Sequence, residues 1–208
     1  ENGYKAGRFL RASDLGMSGE NNEWKPVIQD KLSQQLLVPN GTMGQRWEEG
    51  KKWNLKLETE DGTPIDPMLS MAESDYHVET IQFPYFDSSG DGIFERPIAT
   101  RTIQLANGEK VKIATVYDLM TSQYGVQRFE HELEATSYDD ASSKYTPAWQ
   151  EQITGIKKEL VTKVAKEFAQ NAIDTGGRSM IIMGAGINHW FNSDTIYRSI
   201  LNLVLLCG

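Results

Sequence analysis

The chain is poor in the residues that metal centres and covalent cross-links require. It has one cysteine, Cys207, and three histidines in 208 residues. A single cysteine excludes a disulfide within the chain and any self-contained thiolate cluster for zinc or iron–sulfur. His77, His131 and His189 show neither H-x-x-x-H nor H-E-x-x-H spacing, so the sequence predicts no metal ligands of its own.

Positive charge and long apolar runs are scarce as well. There are 21 Lys and Arg against 29 Asp and Glu, which gives a net charge of −8 and a pI of about 5.0. No basic cluster exceeds a pair such as Lys51–Lys52, so we predict no nucleic-acid partner and no binding to anionic lipid. No hydrophobic run approaches the roughly 18 residues of a membrane span, so we predict no direct span.

Common phosphate and nucleophile motifs are also missing, because the chain has neither a P-loop nor a nucleophile elbow. Residues 87–95 (DSSGDGIFE) resemble the start of a calcium loop. Position twelve of that loop would be Ile98, so an acidic surface turn is the preferred interpretation. Asp139 and Asp140 precede a predicted helix, where capping or a surface turn explains them.

The first 115 residues predict a β-rich segment with hairpins, since Gly, Pro and Asp recur between short β-favouring runs. Asn40–Gly41 and Asp61–Gly62 are predicted turns, and Asn107–Gly108 between residues 102–106 and 109–115 predicts a type I′ hairpin. The strand candidates are residues 6–12, 24–29, 35–38, 53–57 and 78–83.

Residues 116–208 predict an α/β segment of helix, helix, strand, loop and helix, after a short helix over 116–124. Thr146 and Pro147 predict a helix start that ends at Gly155, and a second helix covers 157–173 with an apolar stripe. The apolar run 179–183 predicts a buried parallel strand, which is joined by a glycine-rich turn at 184–190 to a helix over 194–207.

The last helix is apolar on nearly every face, so it must be buried all round. The sequence ends there and begins at Glu1 rather than Met, and we therefore expect an internal fragment of a larger protein. A C-terminal helix docked in its own core is the alternative.

The turn at 184–190 (GAGINHW) is the best candidate site. Its glycines permit close backbone approach, while Asn188, His189 and Trp190 offer an amide, an imidazole and an indole donor. It is not the dinucleotide fingerprint, which would need a glycine at His189. A tight structural turn with a hydrogen-bonded histidine is the alternative.

With these motifs in view, the chain resembles the catalytic alpha subunit of respiratory nitrate reductase, in the molybdopterin oxidoreductase superfamily. The segments GAGINHW (184–190) and YTPAWQEQITG (145–155) are the most specific. Further matching segments are AGRFLRASDL (6–15), PNGTMGQRW (39–47), KWNL (52–55), FPYF (83–86), TVYDLM (115–120), ATSYDD (135–140) and RSMII (178–182).

The resemblance implies a cytoplasmic subunit that reduces nitrate to nitrite in anaerobic respiration, at molybdenum bis(molybdopterin guanine dinucleotide) beside a [4Fe–4S] cluster. A beta iron–sulfur subunit and a gamma haem subunit in the membrane are its implied partners. The family's aspartate ligand to molybdenum and its Cys/His cluster motif are not in this sequence. We therefore expect the isolated chain to be inactive and to hold no molybdenum or iron.

The feature that the resemblance implies for this chain is a turn, residues 184–190, that lines the pterin cofactor. We expect no catalytic residue and no metal ligand in this chain, and the predicted cofactor-binding residues are Gly184, Ala185, Gly186, Asn188, His189 and Trp190.

Two alternatives remain. Related subunits reduce chlorate, perchlorate or selenate, and these residues do not discriminate between oxyanions. The chain could instead be a non-catalytic module that docks a partner subunit through an apolar patch around Trp24, Trp47 and Trp53.

Overall fold

The computed structural model describes residues 8–40, 56–84 and 93–207. The chain divides into two compact units, Glu1–Glu134 and Ala135–Gly208. The first helix, α1 (Val116–Gln123), lies in the first unit. The boundary between the two units, after Glu134, therefore does not coincide with the change from strands to helices near residue 115.

The first unit is built around an antiparallel sheet of three strands, β3 (His77–Pro84), β4 (Ile93–Gln104) and β5 (Lys110–Ile113). The strand order is β3-β4-β5, so β4 is central and its residues 96–100 are buried. A two-stranded antiparallel sheet joins β1 (Ile28–Gln29) to β2 (Leu36–Leu37).

The core of the first unit lies where α1 and a short 3₁₀ helix, Met71–Glu73, pack against β4. Ile98 and Ala99 on β4 are almost fully buried, as are Met68 and Met71 on the segment that leads into the 3₁₀ helix. Apolar side chains from distant parts of the sequence thus meet on the central strand, and their burial stabilises this unit.

The hairpin between β4 and β5 is confirmed, but its predicted type I′ turn is wrong. The backbone amide of Leu105 donates to the carbonyl of Glu109 (2.8 Å), and the amide of Gly108 donates to the carbonyl of Leu105 (2.9 Å). Gly108 has φ +84° and Asn107 does not have positive φ. This is a three-residue loop with a type I turn and glycine at the left-handed position, where a type I′ turn would need positive φ at both central residues.

The other predicted strands of this unit are shorter than expected. Of 24–29, Ile28–Gln29 form a strand and Pro26 makes an isolated bridge with Arg11, and of 35–38 only Leu36–Leu37 pair. Candidates 6–12 and 53–57 lie partly outside the described residues, as does the turn at Asn40–Gly41. Of the acidic turn predicted over 87–95, residues 87–92 lie outside the described residues, and residues 93–95 belong to β4. The predicted turn at Gly62 is present, with φ +87°.

The second unit contains the predicted helices. In α2 (Pro147–Thr154) the hydroxyl of Thr146 accepts from the amide of Trp149 (3.1 Å), Pro147 stands at the first helical position, and Gly155 ends the helix at φ +72°. The long helix α3 (Lys158–Thr175) ends at Gly176, also in the left-handed region. Cap residues therefore fix both ends of α2 and the C-terminal end of α3 as predicted. Lys157, the residue before α3, makes no side-chain cap hydrogen bond.

The predicted buried parallel strand at 179–183 is wrong. Met180 and Ile182 are 78% and 84% exposed, and residues 179–183 pair with no strand among the described parts of the chain. All described strand pairs are antiparallel. The apolar pattern depends on this segment alone, whereas a β-strand also needs a neighbouring strand with which its backbone N–H and C=O groups form hydrogen bonds.

A one-turn helix and a 15-residue helix complete the second unit. Residues 184–190, predicted as a plain turn, contain a one-turn helix α4 (Ala185–Asn188). The final helix α5 (Ser193–Cys207) is present as predicted, but it has no buried residue in this chain. The mixed α/β class is confirmed.

Candidate functional site

The predicted site lies at the surface of the second unit, between the exposed segment 179–183 and α5. Gly184 caps α4 with extended backbone (φ −114°, ψ 178°), and the amide of Ile187 donates to its carbonyl. The carbonyl of Trp190 accepts from the amide of Ser193 (3.1 Å), and this hydrogen bond connects the turn to the start of α5. The backbone turns within seven residues and leaves their side chains at or near the surface.

Neither glycine of this turn is required by the chain's own conformation or packing. Gly184 and Gly186 do not have positive φ, and a methyl group placed on either would meet nothing within 4 Å among the described residues. The backbone at Gly184 and Gly186 therefore faces open space. A flat ligand that packed directly against the peptide would occupy this space.

Among the described residues, Asn188 is the one polar side chain of the predicted set for which a hydrogen-bond partner is found. The phenol of Tyr197, in the second turn of α5, donates a hydrogen bond to the Oδ1 atom of Asn188. This bond spans the contact between α4 and α5, which pack against each other. The amide is thus held in place while its nitrogen remains accessible.

The remaining predicted site residues lie in the open. Ala185, Gly186 and His189 are exposed, and the indole of Trp190 is 70% exposed. The imidazole of His189 makes no hydrogen bond to any described residue. The structure therefore places all six predicted residues side by side on one surface turn, with an amide, an imidazole and an indole at its end.

The donor set of this turn fits an organic cofactor and does not fit a metal. Within the described ranges no three His, Cys, Asp or Glu side chains come close enough to hold an ion. The free thiol of Cys207 is half-buried at the end of α5. Bare glycine backbone, amide donors and an exposed aromatic ring suit a heterocycle with hydrogen-bonding edges.

Asp139 and Asp140 lie in a surface turn before α2, one of the two predicted explanations, and the cap of that helix is Thr146. Asp140 accepts hydrogen bonds from the hydroxyl (2.6 Å) and the amide (3.0 Å) of Ser142, and these bonds hold its pKa below its ordinary value. Asp139 pairs with Lys158 (2.6 Å), and this hydrogen bond raises the pKa of the lysine. A surface groove of about 540 Å³ follows α3 from there, and none of its lining residues belongs to 184–190.

A buried polar cluster in the first unit was not predicted. Asp118 has no exposed surface, and its carboxylate accepts from the Ser70 hydroxyl (2.6 Å), the Met71 amide (2.8 Å) and the Arg128 guanidinium (2.6 Å). Every contact joins it to another part of the same unit, so the cluster is structural. The spacing of Thr115 and Asp118 is that of a capping box, and it was the one local signal for this residue.

Tyr197 is the residue near the site that the sequence did not reveal. In the sequence it reads as one more apolar position of the final helix, and only the fold brings its hydroxyl to Asn188, nine residues earlier.

None of the helices in the described residues has the length and apolar character needed to cross a bilayer.

Comparison with known proteins places this sequence. It is 54% identical to the nitrate reductase alpha chain of Bacillus subtilis (strain 168) over 210 residues, covering 100% of this chain and 17% of that protein. It is 41% identical to the respiratory nitrate reductase 1 alpha chain of Escherichia coli (strain K12), covering 99% and 17%. Identity falls to 23% with the perchlorate reductase subunit alpha of Dechloromonas aromatica (strain RCB).

No protein-family model matches the chain. The matches to whole proteins are nevertheless consistent, since several nitrate reductase alpha chains align with nearly all of it. The chain therefore belongs to the nitrate reductase alpha chains, and it spans 17% of the length of the relatives from Bacillus subtilis and Escherichia coli.

Proposed function

We propose that this chain is part of the catalytic subunit of a molybdenum-dependent nitrate reductase, which reduces nitrate to nitrite. The observation that carries the proposal is the 54% identity to a nitrate reductase alpha chain across the whole length of this chain. The much lower identity to a perchlorate reductase, 23%, favours nitrate over perchlorate.

Within that subunit, residues 184–190 contact the organic part of molybdenum bis(molybdopterin guanine dinucleotide). The open space beside Gly184 and Gly186 supports this role, because a ring system can lie directly on the backbone there. The amide nitrogen of Asn188 and the ring nitrogens of His189 then reach its polar edges, and the exposed indole of Trp190 packs at the border. When bound, the cofactor supplies oxygen-atom transfer from nitrate together with its two-electron chemistry.

The molybdenum and [4Fe–4S] ligands belong, in this proposal, to segments of the longer subunit outside these 208 residues. The sequence has a single cysteine, Cys207, and so cannot by itself supply the thiolate ligands of such a cluster. Iron–sulfur beta and haem-containing gamma subunits would deliver electrons from membrane quinol, with the catalytic subunit on the cytoplasmic side.

A docking role without catalysis has less support. Of the three tryptophans on which it rests, Trp24 is exposed, and Trp47 and Trp53 lie outside the described residues. The 54% identity to a nitrate reductase alpha chain along the whole chain supports the catalytic-subunit proposal directly.

The test uses the full-length reductase with Asn188→Ala and His189→Ala, and with Lys163→Ala as a control on the exposed face of α3. Losing a well-placed hydrogen bond to the cofactor removes about 1.5–3 kcal/mol, or roughly 10- to 150-fold in the dependent step. We expect lower molybdenum content or lower turnover per molybdenum in both site variants. If both retain full cofactor and full turnover, the segment is only a turn.

A further inference from the structure

We propose that Tyr197 is a positioning residue, which holds the Asn188 side chain so that its amide nitrogen, and not its oxygen, faces the ligand. The inference rests on the proposed cofactor contact of residues 184–190. It adds the chemistry of the contact, since the ligand edge that meets Asn188 must then carry hydrogen-bond acceptors.

The first step of the argument is the hydrogen bond itself. The Tyr197 phenol donates to Asn188 Oδ1, and neither N–H of the Asn188 amide has an acceptor among the described residues. A primary amide has one acceptor oxygen and two N–H donors, so a half-turn of its end group exchanges the two functions. The bond to Tyr197 occupies the oxygen and leaves both donors available.

The phenol of Tyr197 is favoured as the donor in its hydrogen bond with Asn188. The oxygen of a phenol shares its lone pair with the ring and is a weaker acceptor than an amide oxygen. A Tyr–Asn pair is therefore better bonded with the phenol as donor than with the amide nitrogen as donor. Removing the phenol hydroxyl would allow both amide orientations.

The third step is that α4 has little else to fix it. It is a single turn, Ala185–Asn188, and it packs against α5, which carries Tyr197. Tyr197 itself is partly shielded, whereas Asn188 is exposed. The less exposed residue, Tyr197, thus orients the more exposed one, and the hydrogen bond between them leaves the N–H donors of Asn188 unused.

The ligand chemistry follows from this orientation. Two adjacent N–H donors suit a ring carbonyl beside a ring nitrogen, or the oxygens of a phosphate, and both are acceptor groups of a pterin nucleotide. Asn188→Asp separates the two possible roles of the side chain. It replaces the donors with carboxylate oxygens and so harms a donor site more than Asn188→Ala does, whereas it would preserve an acceptor site.

The test uses the full-length holoenzyme with Tyr197→Phe, Asn188→Ala, the double variant and Asn188→Asp. Tyr138→Phe, an exposed tyrosine of the same unit, is the matched control. The readouts are the molybdenum retained per polypeptide, the rate of cofactor loss on mild heating, and the electron paramagnetic resonance spectrum of the molybdenum.

We expect Tyr197→Phe to speed cofactor loss by roughly 2- to 10-fold, the range for one neutral hydrogen bond. The double variant should lose cofactor no faster than Asn188→Ala, because the tyrosine acts only through the asparagine. Asn188→Asp should be worse than Asn188→Ala, and Tyr138→Phe should match the unsubstituted enzyme.

The outcomes separate the two proposals. If Asn188→Ala retains cofactor normally, the proposed contact at Asn188 fails and this inference fails with it. If Asn188→Ala loses cofactor faster but Tyr197→Phe behaves as the unsubstituted enzyme, only the positioning role is overturned. Additive effects in the double variant, or rescue by Asn188→Asp, would overturn it as well.

Discussion

Asp118 is the residue with the most demanding environment in the first unit. Its carboxylate is fully buried, and its second oxygen also accepts from the Thr115 hydroxyl (2.9 Å). The guanidinium of Arg128, the charge that pairs with it, lies over the rings of Tyr117 and Phe129. A buried charge is tolerated only when it is paired and hydrogen-bonded in this way.

Replacing Asp118 with Ala should therefore cost about 3–5 kcal/mol of unfolding free energy, because it leaves the Arg128 charge buried without its partner. Urea denaturation of the 208-residue chain measures this. Glu109→Ala, a partly exposed carboxylate on the hairpin, is the control and should change little. A double variant, Asp118→Leu with Arg128→Met, should be less damaging than Asp118→Ala, and an equal or larger loss would contradict the argument.

A second prediction at the residue scale concerns acid. The hydrogen bond from the Ser142 side chain is the main reason that the pKa of Asp140 lies below its ordinary value, so Ser142→Ala should raise that pKa. Because the folded pKa is the lower one, this contribution to stability is present above the unfolded pKa and is lost as pH falls through the folded pKa. Carboxyl NMR titration measures the shift.

Asp61 provides an internal control for that titration. Its pKa is lowered mainly by the hydrogen bond from the Thr59 side chain, in the other unit, so Ser142→Ala should leave it unchanged. An unaltered Asp140 titration in the variant would show that the Ser142 side chain is not the cause of the depression.

At the scale of secondary-structure elements, residues close in sequence predict where a helix begins and ends better than they predict the backbone conformation of a turn. Thr146, Pro147 and Gly155 each act on the backbone within four residues, so the bounds of α2 could be predicted from the sequence. The Asn107–Gly108 pair fixed the place of a hairpin, but the conformation depended on the pairing of Leu105 with Glu109 across it.

The cap of α2 allows a direct test. The Thr146 hydroxyl accepts from the Trp149 amide and also donates to the carbonyl of Asp140 (2.7 Å), in a buried position. Thr146→Ala should destabilise the second unit by about 1–2 kcal/mol, and Thr146→Ser should recover most of the loss. Thermal unfolding followed by circular dichroism measures both, and equal loss in the two variants would argue against the capping role.

The candidate site shows the same division between local and distant information. The bare glycines and the polar residues at its end could be predicted, because they are consecutive in the sequence. The pairing of Asn188 with Tyr197 could not be, since it depends on how α4 packs against α5. The strand at 179–183 was wrong because pairing needs a second segment, which no local pattern supplies.

At the scale of the whole molecule, the two units differ in how well they cover their apolar residues. Ile98, Ala99, Met68 and Met71 are buried in the first unit, whereas α5 in the second has no buried residue. The large apolar residues that remain exposed in the second unit include Leu160, Val164, Ile173, Met180, Ile182, Phe191, Leu201, Leu205 and Leu206.

We expect the 208-residue chain to self-associate through this surface, because a second copy can cover apolar residues that the described part of the chain leaves exposed. Light scattering against concentration measures the association. Leu205→Glu, at a position 76% exposed on α5, should weaken it, while Leu32→Glu, on an exposed residue of the first unit, should not. A monomer that binds no hydrophobic dye would contradict the expectation.

The Asp118 cluster also has a consequence for the order of folding events. Its bonds join residues 48 and 58 positions apart, so closing it costs more chain entropy than forming α1 or the β4–β5 hairpin. The local elements should then be formed before the carboxylate is enclosed. We expect the bonds of Ser70 with Asp118 and Arg128 to form after the rate-limiting step, and contacts of that kind slow unfolding while they have little effect on the rate of folding.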